Sequence, residues 1–128
     1  MKIVVIGAGK VGSTLASQLV KEGHEVLMMD TNEERLEFLQ NRIDIMTLCG
    51  NGASKEYLQE AEVEKADLVI AATSADEVNI LACFIARQIG AQKTIARVRN
   101  PEIDAAIFVI IKSINDFIFG NCGCLQIF

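Results

Sequence analysis

Three glycines near the amino terminus, Gly7, Gly9 and Gly12, constrain this chain more than any other feature. They follow a β-branched apolar run at residues 2–6, as expected of a strand buried on both faces. They open a segment, 10–21, in which Val11, Leu15, Leu19 and Val20 recur at helical spacing. G-x-G-x-x-G is a weak signal alone and a strong one between a strand and a helix. In that setting Gly7 permits the tight turn, Gly9 lets the backbone approach a pyrophosphate, and Gly12 lets the helix pack closely on the sheet. The phosphates would sit on the helix N-terminus, where free N–H groups and the helix dipole favour negative charge.

The remaining pattern repeats the unit. Gly23 stops the first helix, and residues 25–29 form a second apolar strand finishing at Asp30. Thr31 and Glu34 have the spacing of a capping box for a helix bearing Leu36 and Leu39, which leads to a third strand at about 44–48. A Gly50-Asn51-Gly52 turn, a short helix at 55–61 and a fourth strand at 67–72 follow. Ser74 and Glu77 suggest another capping box, opening a helix that runs to Gly90, and 94–98 reads as a fifth strand. Strict alternation predicts an α/β, Rossmann-like doubly wound parallel sheet with strand order 3-2-1-4-5. Beyond it, Asn100 can cap and Pro101 suits a first helical turn, so the Ile/Phe-rich stretch 101–119 is expected to be an apolar helix. The expected organisation is a nucleotide-binding domain over 1–100 and a C-terminal helix and tail over 101–128, the helix serving dimerisation. Residues 121–128 offer no functional signal.

Bulk properties narrow the function. A chain of 128 residues accommodates one ordinary domain. A net charge of −5 with no dense Lys/Arg cluster argues against a nucleic-acid partner, which must have its phosphates neutralised. The N-terminal apolar run is too short for a membrane span and lacks a signal-peptide pattern, so the expected location is cytoplasmic. Cys49, Cys83, Cys122 and Cys124 form no C-x-x-C pair, and His24 is the only histidine. Reduced structural cysteines are therefore expected and a metal site is not.

Candidate ligand residues gather where the strands end. Asp30 lies eighteen residues after Gly12, at the position where a carboxylate accepts hydrogen bonds from ribose hydroxyls and repels a 2′-phosphate. NAD(H), or an adenine nucleotide with a free ribose, is thus favoured over NADP. Thr73 and Ser74 fall at the end of the fourth strand, beside the switch point of an open parallel sheet, and serve either a dinucleotide's second half or helix capping. Gly50-Asn51-Gly52 is either a simple turn or a flank for the adenine. Arg97 and Arg99 alternate onto one face of the fifth strand and need an anion, either a phosphate or a carboxylate such as Asp76 or Glu102. Catalytic equipment is missing: Tyr57 has no lysine four residues on, and His24 lies in the loop entering the second strand. The cofactor-binding fragment of an NAD-dependent dehydrogenase is the alternative to a pure binder.

Five ordered blocks resemble a known family: MKIVVIGAGKVG at 1–12, MDTNEERL at 29–36, GNGAS at 50–54, AATSADEVN at 71–79 and IARVRNPE at 95–102. They are similar to the N-terminal nucleotide-binding domain, also called RCK or KTN, of the TrkA family of regulatory subunits in Trk/Ktr potassium-uptake systems. The resemblance implies a non-enzymatic cytosolic subunit that binds NAD(H), or ATP and ADP in relatives. It implies assembly as a homodimer or larger ring on a membrane potassium-translocating subunit. By position, Gly7, Ala8, Gly9, Lys10 and Val11 would hold the pyrophosphate, Asp30 the ribose, Thr73 and Ser74 the far half of the nucleotide, and Arg97 a phosphate. Lys10 would either reach a neighbouring subunit's nucleotide or remain solvated. The departure comes after Glu102, where family members continue with a helix, a sixth strand and a C-terminal lobe, and this chain has an Ile/Phe-rich stretch and a Cys-Gly-Cys tail.

Overall fold

A computed structural model describes residues 1–100, Glu102 and Leu125–Ile127. Its elements follow the expected alternation: β1 (Lys2–Ile6), α1 (Lys10–Lys21), β2 (Glu25–Asp30), α2 (Glu33–Gln40), β3 (Met46–Cys49), α3 (Lys55–Glu60), a 3-10 turn at Val63–Lys65, β4 (Leu68–Ala71), α4 (Asp76–Ile89) and β5 (Thr94–Ala96). These five strands are parallel in the order β3-β2-β1-β4-β5, as the sequence pattern requires. A sixth strand, β6 (Leu125–Ile127), adds to β5 in parallel register with Ile95 opposite Gln126. The tail thus carries a strand that the sequence reading, which found no functional signal there, did not assign. Three residues are too few for a periodicity to register. The expected helix over 101–119 lies outside the described residues apart from Glu102, which is helical and donates its N–H to Asn100 Oδ1 at 3.0 Å.

The core is split by the sheet. Val4 and Ile6 of β1 face one side, with Met29, Leu58, Val63 and Val69. Ile3 and Val5 face the other, with Val26, Met28, Leu36 and Leu39. These four β1 side chains are at most 1% exposed, which explains why residues 3–6 are a continuous apolar run without polar alternation. Burying a side chain such as Ile3 or Ile6 contributes about 1.5–3 kcal/mol, so this central strand anchors both layers.

Boundaries differ from expectation at several edges, each for a local reason. Asn32, and neither Thr31 nor Glu34, caps α2: its Oδ1 accepts the Arg35 N–H at 3.2 Å. Ser74 does not cap α4, whose first residue is Asp76 and whose N-cap position is Ala75, with no side-chain cap bond. β3 starts at Met46 and β5 stops at Ala96, so Arg97 and Arg99 lie past the strand end and not on its face.

Candidate functional site

The carboxyl ends of the strands meet the N-termini of α1 and α4 around a cleft of about 680 Å³. Backbone bonds define its floor: the Gly7 N–H donates to Met29 O at 2.7 Å, Ala72 N–H to Ile6 O at 2.8 Å, and Gly50 N–H to Asp30 O at 2.9 Å. They continue the parallel ladders past the last strand residues and hold three loops at one rim. This is the topological switch point of the sheet, between β1 and β4.

The glycine turn divides its labour. Gly7 has φ +106°, a region that disfavours any side chain, and a Cβ there would lie 2.9 Å from the Ala72 and Thr73 backbone. A Cβ on Gly12 would sit 1.7 Å from Gly7 O, so that glycine is what lets α1 start against the turn. A Cβ on Gly9 would meet nothing within 4 Å, because Gly9 faces the open cleft. Lys10 and Val11 also line the cleft, at the end of a helix whose first N–H groups have no intrahelical acceptor.

Ala8 and Gly12 do not line the cleft. Ala8 is buried and donates its N–H to Asp30 Oδ2 at 2.7 Å, while Asp30 Oδ1 accepts the Asn32 N–H at 2.7 Å. Asp30 therefore does structural duty as well as facing the cleft, tying the glycine turn to the start of α2. Each carboxylate oxygen retains acceptor capacity beyond that one bond.

Thr73, Ser74 and Arg97 form the opposite wall, together with Arg99. The Thr73 hydroxyl is engaged inward, 2.6 Å from Asn79 Oδ1, and accepts the Ala75 N–H at 3.2 Å. Asp76 takes no guanidinium. Its carboxylate accepts the backbone N–H groups of Arg99 at 3.1 Å and Asn100 at 2.9 Å, which hold it below the usual carboxylate range, with the nearby Arg99 and Arg97 charges adding to the effect. The Arg99 guanidinium instead donates to Ser74 O at 2.6 Å. Arg97 is aligned by its backbone, whose N–H donates to Ala71 O at 2.9 Å and whose carbonyl accepts from Asn79 Nδ2 at 2.8 Å.

Sequence reasoning missed Asn79 as a builder of this wall. The signal was present: Asp76, Asn79, Ile80, Ala82, Cys83 and Ala86 are the buried residues of α4, and two of the six are polar. A polar residue within an apolar stripe needs buried partners. Thr31, from the β2–α2 connection, and Arg35, in the first turn of α2, also line the cleft and were not singled out as cleft residues.

Charge is concentrated at this rim. Among the described residues, Lys10, Arg35, Arg97 and Arg99 line the cleft, against one carboxylate, Asp30. The ion pairs found among the described residues, Lys2 with Glu62 and Lys65 with Glu62, lie at the amino ends of the strands, as does the contact between His24 and Glu22. A protein of net charge −5 has thus placed a local cationic excess where an anion would enter. Among the described residues no histidine, tyrosine, cysteine or glutamate lines the cleft, and they hold no cluster fit for a metal ion. No helix among them is long and apolar enough to cross a membrane.

Comparison with known proteins agrees with this geometry. The chain is 39% identical over 106 residues to a "Trk system potassium uptake protein TrkA homolog" of Methanothermobacter thermautotrophicus, covering 83% of this chain and 49% of that protein. It is 45% identical over 100 residues to the "Trk system potassium uptake protein TrkA" of Halomonas elongata, covering 77% of this chain and 22% of the relative. The chain therefore spans half or less of these relatives. Among solved structures, the TrkA-N domain of the inner membrane protein ybaL from Escherichia coli superposes with a TM-score of 0.79 at 23% identity, covering 99% of this chain and 85% of that one. The GsuK channel bound to NAD gives 0.76 at 19% identity, covering 98% of this chain and 21% of that one. Both share the fold. The TrkA-N domain family model matches residues 3–112, and the chain belongs to that family.

Proposed function

We propose that this chain is a nucleotide-sensing regulatory module of a Trk-type potassium-uptake system, with NAD(H) as its first ligand and ATP or ADP as alternatives. The observation that carries the reading is the cleft itself. It combines an open Gly9 at a helix N-terminus, Asp30 on one side and a cationic wall on the other, and among the described residues its lining offers no histidine, tyrosine or cysteine for proton transfer or nucleophilic attack. In this reading the pyrophosphate rests on Gly9, Lys10 and Val11, and the adenine ribose hydroxyls donate to Asp30. The second half of the dinucleotide lies along Thr73, Ser74 and Arg97. Ala8 and Gly12 act from beneath by shaping the turn.

The relatives' names supply the biological setting, potassium uptake, and the NAD named with the GsuK channel structure supports the ligand class. The module would act in the cytoplasm as a homodimer or larger ring on a membrane potassium-translocating partner. Sensing requires a ligand that prefers one conformation of the assembly. A tenfold preference corresponds to about 1.4 kcal/mol of bias. Calorimetric titration with NADH, NAD, ATP and ADP tests the proposal. Binding of at least two of them with different affinities is expected, and binding of none would overturn it. The dehydrogenase-fragment reading needs a proton donor or acceptor at the cleft, and Asp30, committed to two backbone N–H groups on the ribose side, is poorly placed for that task.

A further inference from the structure

We infer that Asn79 is the positioning residue for the far half of the nucleotide cleft, a reading that rests on the proposed nucleotide site. The side chain is fully buried in α4 and makes four hydrogen bonds. Its Oδ1 accepts the Thr73 N–H at 2.8 Å and the Thr73 hydroxyl at 2.6 Å. Its Nδ2 donates to Thr73 O at 3.1 Å and to Arg97 O at 2.8 Å. An amide has two acceptor sites and two donors, so every capacity of this one is spent on two cleft residues that are 24 positions apart in sequence.

The consequence is geometric. β4 and β5 end at Ala71 and Ala96, and past those residues the ladder offers only the Arg97 N–H bond to Ala71 O. Without Asn79, Thr73 and the Arg97 carbonyl would have no common tie, and the wall would rest on the neighbouring ties alone, Arg99 to Ser74 O and Asp76 to the Arg99 and Asn100 N–H groups. With it, the Arg97 backbone is held at both its N–H and its carbonyl, which fixes the point from which the guanidinium enters the cleft. Asn79 itself does not line the cleft. It acts through Thr73 and Arg97, and on them only. The Asp30 wall is held separately by Ala8 and Asn32.

Two ligands that fill different lengths of the cleft separate this role from a general structural one. AMP carries the adenosine and one phosphate, so it engages Asp30 and the glycine turn. NADH extends along Thr73 and Arg97 as well. Asn79→Asp keeps the shape and the acceptor but turns an oxygen toward two carbonyls, in place of an N–H donor. The expected result is an NADH dissociation constant raised about tenfold, with that of AMP within about twofold of the unchanged protein. Equal weakening of both ligands, or of neither, would overturn the inference. Should Asn79→Asp fail to fold, Asn79→Ser, which removes the link to Arg97 from a smaller side chain, is expected to give the same split. If the unchanged protein binds neither NADH nor AMP, the nucleotide reading falls, and amide exchange decides the positioning role alone. The Thr73 and Arg97 amides of Asn79→Ser should then exchange about tenfold faster while those of β1 and β2 keep their protection. Unchanged rates at Thr73 and Arg97 would overturn it.

Discussion

The two walls of the cleft are built by opposite means. The wall made by β1, α1 and β2 is a backbone device: Gly7 and Gly12 let two main chains touch, and one carboxylate, Asp30, ties the turn to the next loop. The wall made by β4, α4 and β5 is a side-chain device, in which Asn79 and Asp76 reach from the first turns of α4 to hold Thr73, Arg97, Arg99 and Asn100. A backbone device tolerates no added atom. A side-chain device tolerates changes at its exposed residues but not at its buried ties. The contrast predicts where each wall breaks.

The largest expected effect is at Gly12. Its Cβ would lie 1.7 Å from Gly7 O and 2.9 Å from Gly7 C, both backbone atoms, so no side chain can swing aside to accommodate it. Gly12→Ala should cost about 3 kcal/mol or more, against a typical total of about 5–15 kcal/mol. Ser74→Ala in the opposite wall removes an exposed hydroxyl that caps nothing and should stay within about 0.5 kcal/mol. Urea unfolding of both variants measures the difference, and equal losses would erase the distinction between the walls.

Next comes thiol reactivity, which compares the interior behind one wall with the rim of the other. Cys83 is fully buried on α4, and burial pushes its thiol up to about 12. Cys49 is exposed at the end of β3, beside Asp30 in the ladder. Because the thiolate is the nucleophile, iodoacetamide at pH 8 should label Cys49 at least about a hundredfold faster than Cys83 in the folded protein. Peptide mass spectrometry after timed quenching reads the ratio. Comparable rates would mean that α4 opens readily, and the far wall with it.

A smaller effect is expected at Asp30. Asp30→Ala removes the proposed ribose acceptor and leaves the buried Ala8 N–H without its partner. NADH and AMP should weaken together by about 30-fold, since both carry the adenine ribose, and the protein should lose about 1–2 kcal/mol of stability. This is the mirror image of the Asn79 result, where the two ligands part company. A variant that weakened NADH alone would place the ribose elsewhere.

The same contrast explains what was legible in the sequence. The glycine wall could be read because its constraints are local: three glycines at fixed spacing and an acid at a strand end carry their geometry with them. The strand order followed from alternation and the handedness of crossovers. The far wall could not be read in the same way, because its residues meet only after β4, α4 and β5 have packed. Ser74 and Glu77 have capping-box spacing, yet α4 begins one residue too late for Ser74 to serve. Arg97 and Arg99 alternate as strand residues do, yet β5 ends before them, since Asp76 draws the Arg99 and Asn100 backbone toward α4. A local rule loses there to buried polar ties that span more than twenty residues.

The smallest effect concerns pH and tests whether Asp76 secures the far wall by backbone bonds or merely by charge. Its carboxyl is held below the usual aspartate range chiefly by the Asn100 and Arg99 N–H groups. A depressed acid contributes stability that is fully present above its unfolded value, about pH 4, and lost as the pH falls through the folded value. Asp76→Asn should therefore melt at a lower temperature than the unchanged protein between about pH 5 and 8, and the gap should shrink as the pH falls through the lowered folded value. Glu62 is also depressed, by Lys2 and Lys65, but that group is a solvent-facing ion pair. Its contribution is screened by salt, since the Debye length falls to about 3 Å at 1 M. Hydrogen bonds from fixed backbone N–H groups are not screened in that way. In about 1 M salt, then, the gap between Asp76→Asn and the unchanged protein should persist at pH 7. A gap that closed with salt would make Asp76 a partner of the Arg97 and Arg99 charges, and the far wall would be held by electrostatics instead of by hydrogen-bonded geometry.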